Sequence, residues 1–310
     1  MEHGKSSTVI AGVDVGKFRL DAAIGTQIQT ANDAEGIKAL RDWLDGHGVS
    51  RVGMEATGGY ERPLRLELEA EGLEVVLHQP IEIKLYARLS RQHAKTDAGD
   101  ARLIAAATAA IRRPAKRADP ALLELGERLT AYEQIADQLM TLRTFKDSVS
   151  PIDLIAMIDR QIDQLKALKA ALCRQLLEAV KACPWFKTRY GLLTSLPGIG
   201  PIVAVSLIVR MPELGQMQRG QSASLLGVAP HARQSGQWKG QRFISGGRTR
   251  PRPMIYLAAL AARRYDKTLN TFANALIARG KPPKLAIVPI MRKLIEAANL
   301  VLKRQQPWTN

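Results

Sequence analysis

The sequence predicts a three-part chain. An α/β domain built on a mixed sheet comes first, a helical coiled-coil hairpin second, and a mainly α-helical, strongly basic region last. Three observations carry this. Residues 1–112 open with three strand patterns at hairpin spacing and continue with alternating helix and strand patterns. A basic, proline-bearing stretch, "RRPAKRADP" (Arg112 to Pro120), then leads into two long runs with three- and four-residue apolar steps. The final 125 residues, 186–310, hold 20 Lys and Arg against 3 acids (Glu213, Asp266, Glu296), a net of +17, within a chain whose total is +16.

Each element follows from its own pattern. "STVIAGVDVGK" reads as a buried strand running into a turn, and "FRLDAAIG" and "TQIQTA" as two further strands of a meander. "DAEGIKALRDWLDGHG" has helical spacing through Ile37, Leu40, Trp43 and Leu44, with Asp33 as its cap and Gly46 and Gly48 at its end. "SRVGMEAT" is a short strand, "GYERPLRLELEAEG" a helix, "LEVVLHQ" a strand, and "IEIKLYARLS" and "DAGDARLIAAATAAI" are helices. In residues 113–185, Leu122, Leu125, Leu129, Tyr132, Ile135, Leu139 and Leu142 keep helical steps. The pattern breaks at "KDSVSP" and resumes with Ile155, Ile158, Ile162, Leu165, Leu168, Leu172 and Leu176. This is a hairpin or coiled coil, suited either to oligomerisation or to an ordinary helical subdomain. In residues 186–310, "LTSLPGIGPIVAVSLI" sets Pro-Gly-Ile-Gly between two helical runs. Gly198 and Gly200 there fit a helix-hairpin-helix turn whose amides approach a phosphate, or a plain turn.

Composition limits the function. Hydrophobic residues make up 46% of 310, so the chain is globular and long enough for two or three cores. The polar start "MEHGKSSTV" is no secretory signal, and runs such as "PIVAVSLIV" are too short to span a bilayer. Cys173 and Cys183, ten apart, fit neither a zinc motif nor a disulfide scaffold. The expected setting is a bacterial cytoplasm, in association with the nucleoid. The basic C-terminal region calls for a polyanionic partner, foremost double-stranded DNA.

Four carboxylates stand out. Asp14 lies inside the apolar strand "VIAGVDVGK", and Glu55 ends the strand in "RVGMEATGG". Burying either is costly without a partner or a metal. In "AKTDAGDA", Asp97 and Asp100 share a helical face, and taken alone this stretch is better explained by a cap at Thr96 with acids in the first turn than by a metal pair. Taken together, two strand acids and a helix pair make an RNase H-like nuclease arrangement. Four such groups repel one another unless divalent cations intervene, and two Mg²⁺ ions about 4 Å apart can clamp a phosphodiester. Oxygen-only ligands favour Mg²⁺ or Mn²⁺ over zinc.

A second reactive stretch is "WKGQRFISGGRTRPR", Trp238 to Arg252, with five cations and no acid. Ser245 precedes Gly246 and Gly247. Lys239, Arg242, Arg248, Arg250 and Arg252 suit phosphate binding and stabilisation of charge at phosphorus. A turn serine in a DNA-binding loop explains the same residues. Trp185, Trp308, Tyr190 and Tyr256 can stack on bases, although ordinary packing accounts for them. The five histidines form no metal pair.

"GVDVGK", "MEATGGY" and "KTDAGDA", in this order, resemble the DEDD transposases of insertion-sequence family one-hundred-ten. The resemblance continues through "LTSLPGIG", "LLGVAPHARQSG" and "FISGGRTR" and so covers nearly the whole chain. It implies a RuvC-like domain over 1–112, a coiled coil over 113–185 and a transposase domain over 186–310. It places the four metal-binding acids on Asp14, Glu55, Asp97 and Asp100, and the nucleophile, which forms a serine–DNA link, on Ser245. It also implies a structured bridge RNA that selects target and donor DNA, and assembly as dimers and tetramers. The rival readings are a RuvC-like nuclease that uses water, with Ser245 idle, and a non-catalytic nucleic-acid-binding protein.

Overall fold

The computed structural model describes residues 8–91, 97–111, 114, 115, 117–231, 234, 235, 238, 239 and 243–309, with backbone alone at 97–99, 231, 234, 235, 238 and 239. Thr96 and Arg242 lie outside the described residues, as do Arg112, Arg113 and Lys116 of the basic linker. The chain divides into two compact units, residues 1–120 and 121–310.

The first unit is built on a five-stranded sheet. Its strands are β1 (Val9–Val15), β2 (Arg19–Ala23), β3 (Gln27–Ala31), β4 (Val49–Glu55) and β5 (Glu74–His78), in the order β3-β2-β1-β4-β5. The meander β1–β2–β3 is antiparallel, whereas β4 and β5 join β1 in parallel. This is the mixed sheet that the alternating patterns imply. Short loops close hairpins, and helical crossovers return the chain in parallel. The helices are α1 (Ala34–Gly46), α2 (Arg62–Ala70), α3 (Pro80–Leu89) and α4 (Asp97–Ala110). Asp33 caps α1 as its sequence suggests, with its carboxylate accepting from the Gly36 amide at 2.8 Å. Leu40, Leu44, Leu64 and Leu68 are fully buried beside Val13, Val52 and Met54, forming a core between the sheet and α1/α2.

Helix α4 covers the opposite face, and two glycines set how closely. A Cβ on Gly12 would stand 2.1 Å from the Ala101 carbonyl oxygen and 2.3 Å from the Ala105 nitrogen. A Cβ on Gly53 would stand 1.8 Å from Thr108 Oγ1. Gly12 and Gly53 are partners in the β1–β4 register. The sheet therefore carries a bare patch, and the helix backbone lies directly on it.

The second unit is helical: α5 (Pro120–Lys146), α6 (Ile152–Ala182), α7 (Pro184–Thr194), α8 (Pro201–Arg210), α9 (Gln221–Leu226), α10 (Pro251–Tyr265), α11 (Lys267–Ala278) and α12 (Pro283–Arg304). Helices α5 and α6 form the expected hairpin, broken where "KDSVSP" predicts. Lys146 meets Asp159 at 2.6 Å near the bend, and Leu139, Ile158 and Ile162 pack between the helices. Farther along, Leu125, Leu129, Leu176 and Val180 share one core with Leu193, Val205, Ile255 and Ile290. The hairpin and the basic helices thus form one unit. Two-residue strands pair between α9 and α10: β6 (Pro230–His231) with β9 (Phe243–Ile244), and β7 (Gln234–Ser235) with β8 (Trp238–Lys239). Among the described residues, no helix is long and apolar enough to cross a membrane.

Candidate active site

Side chains alternate along strands and match across a register, so the α4 face of the sheet can be read directly. Gly12 faces α4, and Asp14, two residues on, therefore shares its face. Glu55 shares the face of Gly53 by the same rule. In the parallel β1–β4 register the pair after Val13↔Met54 is Asp14 beside Glu55. The row extends both ways, since Asp14 is opposite Asp21, Asp21 is opposite Gln29, and Glu55 is opposite His78. Gln29, Asp21, Asp14, Glu55 and His78 thus form one polar line across five strands, on the face that α4 covers.

The ends of this line are tied off. Asp21 is 9% exposed and accepts from Arg19 Nε and Gln29 Nε2, each at 2.7 Å. Its charge is satisfied there. His78 is fully buried, with Nε2 2.9 Å from Thr108 Oγ1. Thr108 itself donates to the Ile104 carbonyl at 2.7 Å, so its oxygen accepts and His78 Nε2 carries the proton. That bond pins the imidazole to α4. The middle of the row, Asp14 and Glu55, is partly buried.

Two acids stand in the first turn of helix α4. Asp97 opens the helix, and its side chain lies outside the described residues. Asp100, partly buried, precedes Ala101, whose carbonyl lies over Gly12. Among the described residues no three His, Cys, Asp or Glu side chains close to metal-binding distance. The donor chemistry fits Mg²⁺ all the same. Asp14, Glu55 and Asp100 offer carboxylate oxygens alone, and the one imidazole in the row is committed to Thr108.

The loop after Glu55 is fixed by Glu61, a residue with no distinguishing pattern in its stretch "GGYERP". Its Oε2 accepts from Thr57 Oγ1 at 2.7 Å, Gly59 N at 2.9 Å and Thr57 N at 3.1 Å. Burial by itself would raise this carboxyl's pKa. The hydrogen bonds from Thr57 and Gly59 outweigh burial and hold it below the ordinary glutamate value.

The serine loop lies in the second unit. Ser245 is partly buried and follows β9. Gly246 and Gly247 have φ of 65° and 72° and pack on the α9 C-cap, where a Cβ on Gly247 would stand 2.3 Å from Gly227 N. The arginines around it hold the loop. Arg248 forks onto Glu213 at 2.7 and 2.8 Å and also donates to the Arg210 carbonyl. Arg252 donates to the Leu226 carbonyl at 3.1 Å and to the Gly246 carbonyl. Arg250 reaches Asp137 of α5 at 3.0 Å and is about half exposed. Lys239 belongs to β8, with its side chain outside the described set.

The Pro-Gly-Ile-Gly turn divides its two glycines. Gly198 (φ 77°) faces α10, where a Cβ would stand 2.2 Å from the Ala258 carbonyl oxygen. Packing alone therefore accounts for this glycine. Gly200 N-caps α8 and faces open space. Trp185 and Trp308 are 46% and 37% exposed, whereas Tyr190 and Tyr256 pack against the core.

The roles of Asp21, His78 and Glu61 are set by tertiary contacts. The signal that exposed Asp14, a polar residue in an apolar strand, was also present at Asp21 in "RLDAA" and at His78 in "EVVLH".

A family model of DEDD transposases of the IS110 type, described as a transposase, matches residues 11–168. A second, described as the transposase IS116/IS110/IS902 family, matches residues 190–274. The chain is similar to the pilin gene-inverting protein of Moraxella lacunata, with 26% identity covering 97% of this chain and 98% of that one. Its similarity to the pilin gene-inverting protein of Moraxella bovis has the same identity and coverage. With the first model spanning more than half of its residues, the chain belongs to the IS110-type DEDD transposase family.

Proposed function

We propose that this protein is the DNA recombinase of an insertion sequence, with a RuvC-like, Mg²⁺-holding acid site and a serine nucleophile. The observation that supports this reading is the β1–β4 register, which sets Asp14 and Glu55 on neighbouring strands, on the face where the Ala101 carbonyl, next in sequence to Asp100, lies over Gly12. Asp97 completes the set by its place in the family motif. Mg²⁺, when held there, offsets the mutual repulsion of the carboxylates and supplies positive charge to a phosphodiester. His78, Thr108, Asp21, Arg19 and Gln29 keep the row and its helix in place.

Ser245 is the second reactive group. Its Oγ forms a bond to phosphorus as the bond from phosphorus to one deoxyribose oxygen breaks. That oxygen takes up one proton for the one that Oγ loses. The ester keeps the bond energy, so a new DNA hydroxyl can reverse the step and join strands. Arg248 and Arg252 hold the loop backbone, and this restricts where Oγ can stand. Arg250, with Lys239 and Arg242 by their place in the motif, adds positive charge for the phosphate. The relatives' name, which speaks of inverting a gene, supports rejoining rather than plain hydrolysis. Family membership supports a structured bridge RNA as the guide and assembly as dimers and tetramers. The net +17 of residues 186–310 suits both nucleic acids.

Ser245→Ala tests the proposal. It should end recombination and remove any denaturant-resistant protein–DNA adduct while DNA binding persists. Nicking at the wild-type rate by the alanine variant would make water the nucleophile and leave a simple nuclease.

A further inference from the structure

The second unit contains a groove that the acid site and the serine loop leave unused. It encloses about 1320 Å³, more than the usual small-molecule site of about 300–1,000 Å³. Its walls come from the turn before α8, the start of α11, the outer face of α12 and the segment ending at Trp308.

Its charge is one-sided. Arg219, Lys267, Arg292, Lys293 and Lys303 line it, and all five are exposed. None makes an ion pair among the described residues, although Lys293 Nζ sits 4.7 Å from the Phe272 ring. Two acids also line the groove, but the protein uses both. Asp266 caps α11 by accepting from Leu269 N at 2.9 Å. Glu296 accepts from Ser222 Oγ at 2.8 Å and Gly220 N at 3.1 Å. The groove therefore presents five cations whose natural counter-ions come from outside.

Two aromatic rings complete it. Tyr265 is 78% exposed at the end of α10. Trp308 is 37% exposed, and its backbone amide donates to Ser195 Oγ at 2.8 Å, which fixes it beside the groove. Exposed rings beside unpaired cations suit a strand whose phosphates and base faces are both accessible. A duplex offers the phosphates but keeps its base faces stacked inside.

We propose that this groove binds an unpaired stretch of nucleic acid, with the cations on its phosphates and Tyr265 and Trp308 stacking on its bases. The inference rests on the nucleic-acid function proposed above and gives it a specific site. The unpaired stretch can come from a displaced DNA strand or from a loop of RNA, which share this chemistry.

Full-length protein would be titrated with labelled oligothymidine, oligouridine and a mixed-sequence duplex, each about twelve nucleotides long, within the usual single-strand site size. The double variant Tyr265→Leu/Trp308→Leu should weaken binding of at least one single strand about tenfold or more and leave the duplex within about twofold. Loss confined to oligothymidine identifies a displaced DNA strand, and loss confined to oligouridine an RNA loop. The triple variant Lys267→Ala/Arg292→Ala/Lys303→Ala should reduce the single-strand salt slope by about 2, at about 0.7 per phosphate contact. A charge-matched control, Lys166→Ala/Arg174→Ala/Lys181→Ala on α6, should change it far less. Circular dichroism checks that each variant is folded. Equal weakening of duplex and single strands by the aromatic variant, no weakening of either single strand, or an equal effect of the control would overturn the proposal. Ser245→Ala, assayed in parallel, separates the two readings. Failure of its adduct test bears on the nucleophile, whereas these affinities bear on the groove alone.

Discussion

Substituting Gly12 by alanine tests how α4 and the sheet build the acid site. The added Cβ would stand 2.1 Å from the Ala101 carbonyl oxygen and 2.3 Å from the Ala105 nitrogen. Both are helix backbone atoms, so no side-chain rotation relieves the clash. Ordinary carbon contacts are about 3.5–4.0 Å, so the helix must retreat by more than about 1 Å. Overpacking of this kind costs about 1–3 kcal/mol, and a rigid backbone neighbour puts Gly12→Ala at the upper end. The functional cost is larger. A shift of about 1 Å in a reacting group lowers the rate about 100-fold, and α4 carries Asp97 and Asp100. The assay pairs DNA cleavage in Mg²⁺ with amide hydrogen exchange over residues 9–15 and 97–110. Cleavage should fall about 100-fold and exchange should quicken in both segments, with DNA binding retained. Gly25→Ala is the control, since a Cβ there meets nothing within 4 Å. Wild-type cleavage and exchange in Gly12→Ala would refute the claim that close approach of α4 sets the site.

Asp100→Ala, and separately Asp97→Ala, should abolish Mg²⁺-dependent cleavage while leaving the circular dichroism spectrum unchanged; full cleavage by both would reduce the pair to helix caps. Thr108→Val removes the oxygen that accepts from buried His78 and should lower stability by about 1–3 kcal/mol in denaturant unfolding, whereas an unchanged midpoint would contradict the assigned bond. The Glu61 carboxyl is held below its ordinary value in the folded chain, so its contribution to stability is present above the ordinary glutamate range and is lost as pH falls through the lowered value. Glu61→Gln should flatten that acid-side loss in a series of unfolding curves, and an unaltered pH profile would count against the Thr57–Gly59 clamp. Arg248→Lys keeps the charge but loses the two-pronged bond to Glu213. It should reduce serine–DNA adduct more than it reduces DNA affinity, measured side by side. The affinity of the whole protein for DNA should fall linearly on a log–log plot against salt, and a flat line would contradict the role given to the basic C-terminal region.

Local pattern alone determined much of this protein. The strands and helices of residues 9–182 and their order follow from apolar spacing, because burial repeats every two residues in a strand and about every 3.6 in a helix, whereas the four two-residue strands and helices α9 to α12 carry no such assignment in the sequence. Asp33 announced its own cap. The break at "KDSVSP" marked the bend between α5 and α6. Asp14 and Glu55 were legible because a carboxylate in an apolar strand needs a reason. Charge counting located the basic region without any fold. Tertiary structure decided what those residues do together, because pairing and packing join positions far apart in sequence. The β1–β4 register set Asp14 beside Glu55, and Gly12 and Gly53 admitted α4 to their face. Arg19 and Gln29 satisfied Asp21, an acid as conspicuous in its strand as Asp14. Glu213 engaged Arg248, and α10 accounted for Gly198, so residues that read as phosphate contacts also hold the fold. The groove between α11, α12 and Trp308 has no signature in sequence. Its cations come from separate stretches, and only packing shows that the protein has already used the nearby acids.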